Sequence, residues 1–149
     1  MTYYCTLFLG SDKRDALSGL LLRAALNALD LEDNQSPENL ARAQRMRTAG
    51  FVMRSDLPRY AWCMDSRGGV AADESDPLIH VSWLLSRLKP GVLLADAKNQ
   101  GLECSLGFYW GGQGTGGGPF ISVALADLLA RHRVGLDVGF YYEEPANAV

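Results

Sequence analysis

Several groups of residues in this sequence combine side-chain type and spacing in ways that could carry chemistry. Gly112, Gly114 and Gly117 spell G-x-G-x-x-G between an alternating apolar segment and a helical pattern. In a dinucleotide-binding turn that arrangement brings backbone amides up to a pyrophosphate. The run 111–118 holds six glycines, however, so it matches many spacings by chance. One helix and one strand follow it, and no Lys follows for a phosphate-binding P-loop. The run therefore reads first as a connection between elements. A small enzyme or nucleotide-binding domain using the loop 111–118 is the alternative.

His80 and His132 fall on helical patterns, and either could act as a general base if a carboxylate or thiol approached it in space. Their expected role is structural, as partly buried, hydrogen-bonded side chains at helix edges. No His-x-x-x-His or Cys-x-x-Cys pair is present, so no metal, cofactor or catalytic residue is expected. The cysteines Cys5, Cys63 and Cys104 are odd in number, far apart and set among alternating apolar residues. That pattern fits reduced, buried thiols in a cytoplasmic protein.

Acidic and aromatic residues supply candidates for recognition. Asp73 and Glu74 precede a helix start at Asp76 and Pro77, where negative charge is locally favoured by ~0.3–1 kcal/mol per group. Asp30, Glu32, Asp33 and Glu38 have a weaker local reason, since only Glu38 falls in a first helical turn, and they are the first candidates for a partner-binding surface. Trp83 lies beside an apolar stripe without sitting squarely on it, the half-exposed placement of an interface anchor.

The elements that must position these residues follow from periodicity. Thr2 to Leu9 alternates as a strand, and Leu17, Leu20, Leu21, Ala24, Ala25, Ala28 and Leu29 recur at helical spacing, predicting a helix from Asp12 to Leu29. Ser36 and Pro37 open a shallow surface helix that Gly50 ends. Phe51–Met53 and Tyr60–Met64 read as a hairpin around Ser55, Asp56, Leu57 and Pro58. The clearest helix starts at Asp76 and buries Leu78, Val81, Leu84, Leu85 and Leu88 before Pro90 and Gly91 close it. A strand from Leu102 to Trp110 follows, then a helix capped by Ser122 and ended by Gly135, then a strand through Leu136, Val138, Phe140 and Tyr142.

These elements define an α+β fold: a mixed or mainly antiparallel sheet with helices packed on one face, expected as a single domain over 1–149. Cys5-Thr6-Leu7 echoes Cys104-Ser105-Leu106, which hints at two βαβ-like halves. The net charge of -3 lacks the basic excess that nucleic acid requires. No apolar run reaches the ~20 residues that span a bilayer. The start of the chain shows no secretory pattern, so a cytoplasmic location is expected. Self-association is left open.

Trp62, Met64, Asp65 and Ser66, followed by His80-Val81-Ser82-Trp83-Leu84-Leu85-Ser86-Arg87-Leu88-Lys89-Pro90, form a recognisable pattern. It resembles the bacterial family known as domain of unknown function 4279, with its tryptophan strand, a helix carrying His and Leu-Leu, and a closing Leu-x-Pro. The similarity covers roughly the last two thirds of the chain and leaves out Asp30 to Gly50. The family has no established activity, so the resemblance carries over no catalytic residue. Such small bacterial families often accompany polymorphic toxins, and the resemblance implies a non-enzymatic immunity protein that neutralises a cognate toxin by stoichiometric binding.

Overall fold

The computed structural model describes residues 2–113 and 117–142. Along the chain run β1 (Thr2–Ser11), α1 (Arg14–Arg23), β2 (Glu32–Asp33), α2 (Pro37–Thr48), β3 (Tyr60–Asp65) and α3 (Pro77–Ser86). After them come α4 (Leu94–Asn99), β4 (Glu103–Gly112), α5 (Val123–His132) and β5 (Leu136–Tyr142). The strands form one five-stranded sheet in the order β2-β3-β1-β4-β5. Only β4 and β5 run parallel, so the sheet is mixed and the fold is α+β.

Alternation along β1 decides which side of the sheet is filled. Tyr3, Cys5, Leu7 and Leu9 are buried and meet Trp110, Phe108, Leu106 and Cys104 of β4 across the ladder. On that face Leu17, Leu20 and Leu21 of α1, Val81, Leu84 and Leu85 of α3, Leu94 and Ala97 of α4, and Leu125 of α5 close one apolar core. The second helix has no buried residue and reaches the rest through Asn39, whose side-chain amide donates to the Asp33 carbonyl, and through Arg42.

Helix endings account for several departures from the sequence reading. The first helix stops at Arg23 because Ala25 turns into the left-handed region at φ +59°, with the Leu26 amide donating to Leu21 and the Ala25 amide to Leu22. This reciprocal closure usually takes Gly, so an Ala there gave no stop signal. Arg133, at φ +51°, ends α5 in the same way, ahead of Gly135. Gly50 does end α2, with φ +91°.

The expected hairpin is absent. Residues 51–59 form no strand; β3 pairs instead with β1 on one side and with the two-residue β2 on the other. The helix α4 had no counterpart in the sequence reading. The echoing triplets lie in adjacent antiparallel strands, with Leu7 opposite Leu106, and only β4-α5-β5 is a parallel β-α-β unit.

Candidate functional site

The helices fill one face of the sheet, and the residues of opposite parity make the other. Tyr4, Thr6, Phe8 and Gly10 of β1 stand opposite Tyr109, Gly107, Ser105 and Glu103 of β4. The loop 51–59 covers the lower half of this face. Pro58 is buried over Gly10, the Arg59 amide donates to Asp12, and Arg54 pairs with Glu103 and Asp56. Among the described residues the upper half has no such cover.

Across that upper half runs a row of four side chains from three strands and the turn after β3. The Arg67 guanidinium lies 4.2 Å from the centre of the Tyr4 ring. Tyr4 stacks on Tyr109 at 4.7 Å between centroids, and Tyr109 stacks on Tyr141 at 4.3 Å, with planes within 14° of parallel. These separations match the ~4.8 Å between neighbouring strands. Tyr141 is in register with Gly111, yet its ring leans back over Gly139, where a side chain would come within 2.8 Å of it. Glycine at 139 thereby lets the third ring join the row.

Beneath the row, Thr6, Gly107 and Asp137 form the floor of a depression of about 350 Å³. Nothing lies within 4 Å of where a Gly107 side chain would begin. At the Arg67 end, Asp65 holds the guanidinium at 2.9 Å, and that pairing keeps the Asp65 carboxyl below its usual range. The surface therefore offers one oriented cation, the edges of stacked phenol rings, and a carboxylate at Asp137. It can recognise a polar and aromatic partner surface by hydrogen bonds and ring-edge packing.

The residues singled out from the sequence lie elsewhere. Asp33 pairs with Arg59 and accepts the Gln35 amide, and both interactions hold its carboxyl below the usual range, the Arg59 hydrogen bond most. Glu32 pairs with Arg42 at 3.2 Å. Asp30 and Glu38 are exposed, and Asp30 shares a depression with Arg87. Much of the expected acidic surface is thus neutralised locally. Glu74 caps the start of α3 through the Asp76 amide, and Asp73 is exposed beside it. Trp83 is partly buried, with its indole against the turn at Gly68–Gly69 and Arg87 stacked on it at 5.0 Å.

His80 is more buried than a helix-edge residue. It is fully enclosed, and so is Ser66. The Cys5 amide donates to Ser66 Oγ, whose hydroxyl lies 2.7 Å from His80 Nδ1, while Nε2–H donates to the Glu74 carbonyl at 2.6 Å. The pairing looks like a nucleophile and its base, yet both ring nitrogens are engaged and no substrate reaches the hydroxyl. It ties β1 to the start of α3. His132 is also buried, and its Nδ1 accepts the Leu94 amide, clamping α5 to α4; burial first, then Arg131, pushes its pKa down.

Cys5 and Cys104 are buried, and burial raises their thiols to about 12 and about 11. Cys63 is exposed, against expectation, because it falls on the open face opposite Phe8. Its thiol is also raised, by local burial and by Glu32. A raised thiol is a poor nucleophile. No group of three or more potential metal ligands is found among the described residues.

Of the glycine motif, Gly112 ends β4, Gly117 has φ +77°, and Gly114 lies outside the described residues. Pro119 to Ile121 separate the run from α5, and Ser122 caps that helix by accepting the Leu125 amide. The glycines do not open the helix directly, as a pyrophosphate turn requires. No helix among the described residues is long and apolar enough to cross a membrane. The chain matches no family model, no curated protein and no solved structure.

Proposed function

We propose that this chain is a protein-binding module acting by stoichiometric contact, a cytoplasmic immunity protein that neutralises a cognate bacterial toxin. Its contact surface is the open upper half of the sheet. The observation that carries this reading is the Arg67-Tyr4-Tyr109-Tyr141 row standing on a rigid sheet without a covering helix or loop among the described residues. Tyrosine and arginine dominate interface anchors, because they bring large contact area and polar tips at low cost in side-chain entropy. Here stacking has already fixed the rings, so less ordering remains to be done on binding.

The same row argues against single-stranded nucleic acid. A stacking platform presents ring faces to bases, whereas here both faces of Tyr4 and Tyr109 are covered by their neighbours in the row and only the outer face of Tyr141 is not. Asp65 and Asp137 on this side, with the net charge of -3, add repulsion toward phosphate.

The test is to look for a toxin domain encoded beside the gene, mix it with the purified chain, and measure complex formation and protection. A one-to-one complex that Gly107→Leu weakens, by filling the depression floor, supports the reading. The absence of both binding and protection overturns it. A complex indifferent to Gly107→Leu and Tyr109→Ala moves the contact to the Asp30–Glu38 or Asp73, Glu74 and Trp83 regions.

A further inference from the structure

The two edges of the sheet are finished differently. On one side β2 presents only Glu32 and Asp33, a short and charged strand of the kind that blocks further pairing. On the other side the outer edge of β5 pairs with nothing among the described residues. Asp137 is the only ionisable group ahead of its two tyrosines, the strand contains no Lys or Pro, and no covering element blunts it among the described residues. Phe140, Tyr141 and Tyr142 along it are 65%, 54% and 66% exposed. Beside them the segment leading into α5 exposes Phe120 at 77% and Ile121 at 49%, the first residue of α5, Val123, is 78% exposed, and Gly118 lies against the Phe140 ring.

We propose that this edge pairs with the same edge of a second copy, giving a two-fold dimer with a sheet continuous through β5. Three observations favour a second copy as the occupant. An antiparallel pairing centred on Gly139 is self-complementary: Val138 faces Phe140, Asp137 faces Tyr141, and no like charges meet. The six exposed apolar and aromatic residues offer roughly 700 Å² per copy, close to the ~800 Å² per partner of a stable interface. The alternation of the strand puts Phe140 and Tyr142 on the helix side of the sheet, and Gly118 against the Phe140 ring brings the segment before α5 to that same side. The inference does not depend on the toxin-binding reading: it rests on the edge of β5 and the patch at Phe120, Ile121 and Val123, and Tyr141 is the one residue it shares with the tyrosine row.

The experiment is sedimentation of the purified chain across a concentration series, paired with hydrogen exchange of the β5 amides. The expected result is a concentration-dependent doubling of mass, with slower exchange in β5 as the dimer fills. Phe140→Lys, on the exposed edge, is expected to raise the dissociation constant on the order of tenfold or more, as removal of a central anchor does. Val123→Lys lies outside the sheet and reads the same contact should the first variant fail to fold. A monomer at every concentration overturns the proposal. So does a dimer that folded Phe140→Lys and Val123→Lys leave unchanged. Protection of β5 only on adding the toxin domain also overturns it, and assigns the edge to that partner.

Discussion

The two faces of this sheet are built from the same strands by the same alternation, yet they do different work. On the helix side, Cys5, Leu7, Leu9, Leu106 and Phe108 are sealed under four helices, and even the polar Ser66 and His80 are enclosed with their hydrogen bonds satisfied. On the open side, Tyr4, Thr6, Gly107, Tyr109 and Tyr141 stand without a helical layer among the described residues, the three tyrosines ordered by stacking on one another. Burial on the first side holds the fold. On the second, the same strands serve as a rigid mount for groups that face outward, and that difference is why the open face carries the proposed function.

The largest effects are therefore expected under the helices. Leu84→Ala removes a fully buried side chain from the centre of the core and is expected to cost ~2–5 kcal/mol. His80→Ala is expected to follow at ~2–3 kcal/mol, because it leaves the Ser66 hydroxyl and the Glu74 carbonyl without their partner inside the protein. Urea titrations measure both. A His80 variant as stable as the parent would remove the buried chain of hydrogen bonds from the account of the covered face.

A smaller effect on the same side depends on pH. The folded pKa of His132 is pushed below its usual 6.5 by burial and by Arg131, with Asp96 opposing. Protonation is then harder in the folded chain than in the unfolded one. The stability tied to a neutral His132 is complete above about 6.5 and is lost as pH falls through the depressed folded value. The urea midpoint is expected to decline from neutral pH toward mild acid, above the range where carboxylates titrate. His132→Gln is expected to flatten that decline, and an unchanged slope would assign it to other groups.

How much of this was legible in the sequence depends on the kind of signal. Strand alternation placed β1, β4 and β5, and local capping chemistry placed the starts of α2, α3 and α5, because both are written within a few residues. The Leu84 and Leu85 stripe was readable for the same reason. The end of α1 was not, since its turn uses Ala25 where glycine is the usual mark. The open-face row was not readable either. Tyr4, Tyr109 and Tyr141 are far apart in the chain, and only the register of β1, β4 and β5 brings them together. The acidic segment Asp30–Glu38 was visible as charge, but its pairing with Arg42 and Arg59 depends on folding.

The irregular end of α1 yields a gain instead of a loss. Holding a non-glycine residue in the left-handed region costs ~1–2 kcal/mol, partly repaid by the lower entropy of the unfolded Ala. Ala25 is exposed and at φ +59°, so Ala25→Gly is expected to stabilise the chain by ~1 kcal/mol in thermal or urea unfolding. A loss would show that the Ala25 methyl makes a contact that outweighs the backbone strain.

The smallest expected change sharpens the contrast within the open face itself, between its lower half under the loop 51–59 and its upper half, which no described loop or helix covers. Gly10 and Gly107 both lie in central strands, four positions apart along the β1–β4 ladder. A methyl at Gly10 would collide with the Pro58 ring and press on Phe8, whereas one at Gly107 would meet nothing within 4 Å. Gly10→Ala is therefore expected to cost ~1–3 kcal/mol through overpacking. Gly107→Ala is expected to be neutral or to add up to ~1 kcal/mol, since alanine loses less backbone entropy than glycine on entering a strand. Urea unfolding of the two variants measures the difference directly. Equal destabilisation would mean that the floor at Gly107 is covered in solution, and the upper half of the sheet would then lose its standing as a surface open to a partner.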